Sequence, residues 1–195
     1  MNPICVISIG HAGRTPPDRG ATYEGFYEID GIRQYAAACA AQLRTLGWRV
    51  EVREGKYSVA KAEANALGAT VYLNCHINAG MGGRNLQRGE IFYAVESPAH
   101  NGPALALAVA DSLDDWTPFP VYAKSCRPDT NGTPRDSDYQ EAHGCIRGVR
   151  AVALCTEPFF LDGALREYLR SPEGLSRIGV SIAVGINSWY QQRGT

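Results

Sequence analysis

The chain has 195 residues and a mass of 21.1 kDa, room for one ordinary domain. Nineteen Lys and Arg against twenty Asp and Glu leave a net charge of −1 and no basic stripe, which excludes charge-driven nucleic-acid binding. The 45% apolar and 20% charged shares are those of a globular chain, and no apolar run approaches the ~20 residues that a membrane-spanning helix needs.

In chain order, Ile4 to Ile9 is a β-branched run closed by Gly10 and reads as a buried strand. A loop rich in Gly, Pro and Arg follows from His11 to about Tyr27. A helix is expected from Glu28 to Leu46, because Ile32, Tyr35, Ala36, Cys39 and Leu43 repeat at helical spacing and Gly47 stops it. Trp48 to Val52 reads as a short strand, Val59 to Leu67 as a helix closed by Gly68, and Thr70 to Cys75 as a third buried strand. That strand delivers His76 at its end. A Gly-rich loop from Ala79 to Gly89 leads to a strand over Glu90 to Val95, then a helix over Leu105 to Trp116. Residues 117–148 show little periodicity and read as a long loop, a feature that in compact domains is usually functional. Arg150 to Thr156 is the fifth strand, ending at Glu157, and Pro172 to Tyr190 the last helix.

Strands alternating with helices predict a single α/β domain with a twisted, mostly parallel sheet flanked by helices. Sites in such sheets lie beyond the carboxyl ends of the strands. Three predicted strands end in an ionisable residue there: His11, His76 and Glu157. Two imidazoles and a carboxylate are the ligand set of a catalytic zinc that keeps one position for water. For the third ligand Glu24, Glu28 and Asp30 compete. A helix start positions a ligand better than a loop, which favours Glu28, though spacing alone leaves the choice open. Glu157, followed by Pro158, Phe159 and Phe160, suits a general acid/base of raised pKa.

The remaining candidates are plainer. GHAG and NAGMGG match neither G-x-G-x-x-G nor a Walker sequence. Glu90 and Glu96 read as solvated strand ends, and His100 and His143 have no partner at ligand spacing. The six cysteines contain no C-x-x-C pair. Cys126 and Cys145 flank a polar loop and could pair if oxidised. Cys75 beside His76 would point to the opposite face of its strand, which argues against a Cys–His nucleophile.

Taken as an ordered set, these segments resemble the zinc-dependent N-acetylmuramoyl-L-alanine amidases of the amidase-3 type, a group of bacterial autolysins, spore-associated lytic enzymes and phage endolysins. The matching stretches are ISIGHAG, YEID with the helix ending LRTLGWRVEV, AEANALGATVYLNCHINAG, GEIFYAVES and VALCTEPFF, which span nearly the whole chain. Ala12 stands where the family often has a second Gly. The resemblance implies a phosphorylase/hydrolase-like fold, zinc held by His11, Glu28 and His76, and Glu157 as the catalytic carboxylate. It implies hydrolysis of the amide between N-acetylmuramic acid and L-alanine of the peptidoglycan stem.

Three expectations complete the reading. Residues 1–195 form one catalytic domain without a separate wall-binding domain, and the 79–89 and 117–148 loops are its rims. The N-terminus, MNPICVISIGHAG, lacks a basic n-region, so the protein is made in the cytoplasm without a signal peptide and acts on the wall after release, as an endolysin does. The competing readings are a zinc peptidase or amidohydrolase on soluble peptides and a non-catalytic wall-binding module, which would have no need of Glu157.

Overall fold

The computed structural model describes residues 2–14, 17–80, 86–94, 101–126 and 141–193, with the backbone alone over 141–143. Strand β1 (Ile4–Ile9) has no polar alternation because both its faces are covered. The loop after it contains an antiparallel ribbon, β2 (Thr22–Tyr23) and β3 (Phe26–Tyr27), too short to show in a sequence pattern. Helix α1 (Glu28–Thr45) follows at once, and Gly47 takes the left-handed conformation that ends it. Next come β4 (Arg49–Glu54), α2 (Tyr57–Leu67), β5 (Val71–Cys75), β6 (Gly89–Ala94) and α3 (Gly102–Asp114). The chain continues with β7 (Val121–Cys126), α4 (Glu141–Ile146), β8 (Val152–Glu157), α5 (Arg166–Leu169) and α6 (Pro172–Gln192). Ser171 starts α6 as an N-cap, its hydroxyl accepting the Gly174 N–H at 3.1 Å.

The main sheet has the order β4-β1-β5-β8-β6-β7. The first four strands run parallel, as expected; β6 is antiparallel to β8, and β7 is parallel to β6. The expected long loop over 117–148 is corrected by this sheet: VYAKSC forms its sixth strand, and 141–146 form a short helix. Strand β7 escapes sequence detection because it lies at the sheet edge, where only Val121 and Cys126 are buried and Tyr122 is exposed. Residues 127–140, and 81–85 of the other predicted rim, lie outside the described residues, as do Glu96 and His100 and the side chain of His143.

Two apolar layers enclose the sheet. Helices α1, α3 and α6 cover one face, over Ile7, Leu73 and Leu154, whereas α2 and α4 cover the other, over Val6, Tyr72 and Cys155. Alternate residues of the same strands feed the two layers. On the first face α1 and α6 meet at a glycine: a Cβ on Gly179 would lie 2.1 Å from the Tyr35 carbonyl oxygen. Trp48 closes that face, its Nε1 donating to Asn187 Oδ1 at 3.1 Å.

Candidate active site

Because β1, β5 and β8 are adjacent and parallel, their carboxyl ends lie side by side. His76 and Glu157 each follow directly on the Cys75–Thr156 pair, and His11 emerges two residues after β1. The sheet thus presents all three residues along one edge. Hydrogen bonds hold the edge in place: Gly10 N–H donates to Cys75 O and His76 N–H to Thr156 O, both at 2.9 Å.

His11, Glu28 and His76 come together, with one ligand-type atom from each within 4.8 Å of the others. Glu28 opens α1 and is 4% exposed. Its Oε1 lies 3.0 Å from His11 Nε2 and 3.1 Å from His76 Nδ1, and accepts the Ile77 N–H at 3.1 Å. Its Oε2 accepts the Ala21 N–H at 2.9 Å. Burial by itself would raise this carboxyl, but the bonds from His11 and His76 outweigh it and hold the group well below the usual carboxylate range. Of the carboxylates left open by spacing, Glu28 is the one that lies with the two imidazoles. Glu24 turns away to Arg166 and Arg170, and Asp30 pairs with Arg19 at 2.6 Å.

Close approach at this cluster depends on two glycines. A Cβ on Gly10 would sit 2.4 Å from Cys75 O and 2.6 Å from His76 Cε1. One on Gly20, which has φ +72, would meet Glu28 Oε2 at 2.5 Å. His11 itself is held at φ 63, a conformation that non-glycine residues adopt rarely and at some cost.

Sequence reasoning missed the roles of four residues at this edge of the sheet. Asp18 Oδ2 lies 2.8 Å from His11 Nδ1 and also takes Arg14 Nη1, while its Oδ1 accepts Gly20 N–H. A carboxylate behind a ligand imidazole fixes the ring and its tautomer. Burial lowers the proton affinity of His11, but Glu28 and Asp18 together more than reverse this and leave its pKa raised. Tyr35, from the core face of α1, donates to the His76 carbonyl at 2.9 Å. Glu90, expected at a solvated strand end, is 4% exposed instead. Since β6 runs against β8, its first residues reach the same edge, and Glu90 pairs in register with Glu157. Asn78 Nδ2, Arg88 Nε and Lys124 Nζ all donate to Glu90, at 2.9, 2.8 and 2.9 Å. The Asn of the H-x-N-A stretch therefore holds a buried carboxylate. Only that motif offered a sequence signal; Asp18 lies in a loop without periodicity, and Tyr35 looks like any core residue.

Cys75 is no candidate nucleophile. Cys75 is fully buried, and burial pushes its thiol up to about 12. All six cysteines are buried and none is in a disulfide, and the Cys155 and Cys145 thiols lie against each other.

Two outcomes test this geometry. Asp18→Asn is expected to weaken metal binding by roughly 10–100-fold while preserving the fold, measured by competition with a chromogenic chelator. In metal-free protein, the depressed Glu28 carboxyl stabilises the fold above its unfolded value of about 4.5, and this is lost as pH falls through the lower folded value. The raised His11 stabilises it below about 6.5, and this is lost as pH rises through the higher folded value. The stability difference between wild type and Glu28→Gln, from denaturant melts in chelator, should therefore peak between about pH 4.5 and 6.5.

Comparison with known proteins agrees with this architecture. No curated protein matches the sequence. Among solved structures, the fold is similar to the N-acetylmuramoyl-L-alanine amidase AmiC2 of Nostoc punctiforme, with a TM-score of 0.76, 20% identity and 97% of each chain covered. It is also similar to an N-acetylmuramoyl-L-alanine amidase from Clostridium difficile 630, with a TM-score of 0.80, 19% identity and 99% of each chain covered. The catalytic domain of the CD27L endolysin, which targets Clostridia difficile, gives a TM-score of 0.67 at 19% identity, over 95% of this chain and 97% of that one. The sequence profile Amidase_3, described as N-acetylmuramoyl-L-alanine amidase, matches residues 5–188. With nearly the whole chain inside that match, the protein belongs to the N-acetylmuramoyl-L-alanine amidase family.

Proposed function

We propose that the protein hydrolyses the amide between the lactyl group of N-acetylmuramic acid and L-alanine in peptidoglycan, using zinc held by His11, Glu28 and His76. The observation that carries this is the convergence of two imidazole nitrogens on one carboxylate oxygen at 3.0 and 3.1 Å. Two neutral nitrogens and a carboxylate oxygen fit zinc, and a three-ligand set leaves a position for water. Family membership supplies the substrate class.

Zinc, when bound, supplies Lewis-acid polarisation of the scissile carbonyl and lowers the pKa of a coordinated water. The remaining steps belong to the chain. Glu28 lacks spare protons, since its carboxyl is held ionised, so it serves as a ligand and not as an acid. Asp18 and the Ile77 N–H fix the orientations of His11 and Glu28. Glu157, beyond the strand next to His76, takes the proton of the attacking water and returns it to the departing alanine nitrogen. Hydrogen-bonded Glu90 stays anchored to Lys124 and Arg88 and leaves that task to Glu157.

The test is digestion of purified peptidoglycan by the zinc-loaded protein, with new chain ends identified. New N-terminal alanine establishes the amidase. New reducing sugar ends or another amino terminus would overturn the bond assignment, and binding to walls without release would favour the wall-binding reading. A lytic, endolysin-type role of residues 1–195 as one catalytic unit is part of the same proposal. Loss of turbidity of wall suspensions on adding the protein checks it.

A further inference from the structure

A second group of ligand-type atoms shares His76 with the first. One ligand atom each from His76, Cys145 and Cys155 fall within 4.8 Å of one another. Ligand atoms around one metal sit roughly 3.3–3.8 Å apart, given bonds of about 2.0–2.3 Å, so modest side-chain rotation would close this set around an ion. Cys145 is 5% exposed and Cys155 1%, in the apolar layer beneath α2 and α4.

Other features of this pocket suit a cation held by sulfur. Lys61 staples α4 to α2, its Nζ donating to the carbonyls of Gly144 and Arg147 at 3.1 and 3.0 Å. Cys145 lies between these two anchored carbonyls in the chain and is thereby fixed in place. Asn74, the register partner of Cys155 on β5, is 1% exposed, and its Oδ1 has no hydrogen-bond partner among the described residues.

We propose that His76, Cys145 and Cys155 form a binding site for a soft cation of the Cd²⁺ or Cu⁺ class, sharing His76 with the His11–Glu28–His76 cluster. Two thiolates and an imidazole in a dry pocket select soft, thiophilic ions over hard oxygen-seeking ones. Binding displaces the two thiol protons to solvent. Because one imidazole serves both groups, an ion here draws His76 away from Glu28 and inhibits the enzyme. That consequence rests on the amidase reading; the binding does not.

The test titrates the metal-free, fully reduced protein with Cd²⁺ and follows the ultraviolet thiolate-to-cadmium charge-transfer band. One equivalent is expected to develop the band in wild type and in Cys39→Ser, and to leave Cys145→Ser and Cys145→Ala without it. Circular dichroism on each variant confirms folding. A band of equal size in Cys145→Ser, or none in wild type, would overturn the site. With zinc-loaded protein on peptidoglycan, Cys145→Ser should tolerate roughly tenfold more Cd²⁺ than wild type before losing half its activity. Equal sensitivity would overturn the inhibitory limb. If no form releases alanine, the amidase reading fails while the band still decides the cation site.

Discussion

Glu157→Gln is expected to bind zinc as tightly as the wild type and to release N-terminal alanine from peptidoglycan about 10²–10⁴-fold more slowly, the range that a positioned proton-transfer group supplies. Separation of the two effects follows from the geometry. Glu157 closes β8, whereas the proposed metal-ligand set comes from the ends of β1 and β5 and the start of α1, and the hydrogen bonds that orient Glu28 and His11 come from Ile77, Ala21 and Asp18. The amide isostere keeps the side-chain shape and removes only the ability to accept a proton. His76→Ala gives the contrasting outcome, loss of zinc together with turnover. Zinc content by atomic absorption, set beside alanine release, distinguishes the two; zinc retained in His76→Ala would overturn the ligand assignment.

Gly179→Ala is expected to lower the stability of the protein by about 2–3 kcal/mol, the cost of forcing atoms into a closely packed interface. The added methyl would lie 2.1 Å from Tyr35 O and 2.8 Å from Cys39 N, both backbone atoms that no rotamer change can move aside. Helix α1 must then back away from α6. A melting temperature lower by roughly 5–10 °C is the direct readout for a chain of this size. Metal affinity should fall with it, because Tyr35 rides on α1 and its hydroxyl holds the His76 carbonyl. Gly144→Ala makes the control: a Cβ there meets nothing within 4 Å, and alanine is the better helix former.

Much of this was legible in the residues, and for identifiable reasons. Strands β1, β5 and β8 are buried on both faces, so each prints an unbroken apolar run, and each ends in an ionisable residue that such a run makes conspicuous. His11, His76 and Glu157 stood out on that contrast alone. Glu28 needed more: Glu24 and Asp30 lie within four positions of it, and only the folded ribbon shows Glu24 turned toward Arg170. Strand β7 was invisible because an edge strand alternates weakly, and its residues Lys124 and Ser125 look like loop. Glu90 was misread because strand direction is not written in a strand's own residues. A carboxylate at the start of a parallel strand would have been far from Glu157; one at the start of an antiparallel strand is its neighbour.

That reversal of β6 has a consequence for how the protein can change by descent. Two carboxylates face each other across an antiparallel ladder, and like charges so placed repel unless one is neutralised. The neutralising partners reach Glu90 from β7 and from the residue before β6, so a contact at the margin of the sheet compensates a charge beside the proposed catalytic group. Lys124 is thus 44% exposed along its side chain yet committed to a buried anion. In homologues, a neutral residue at position 124 should occur with a neutral residue at position 90. A chain that lost the lysine first would leave the buried carboxylate to Arg88 and Asn78 alone until the second substitution arrived.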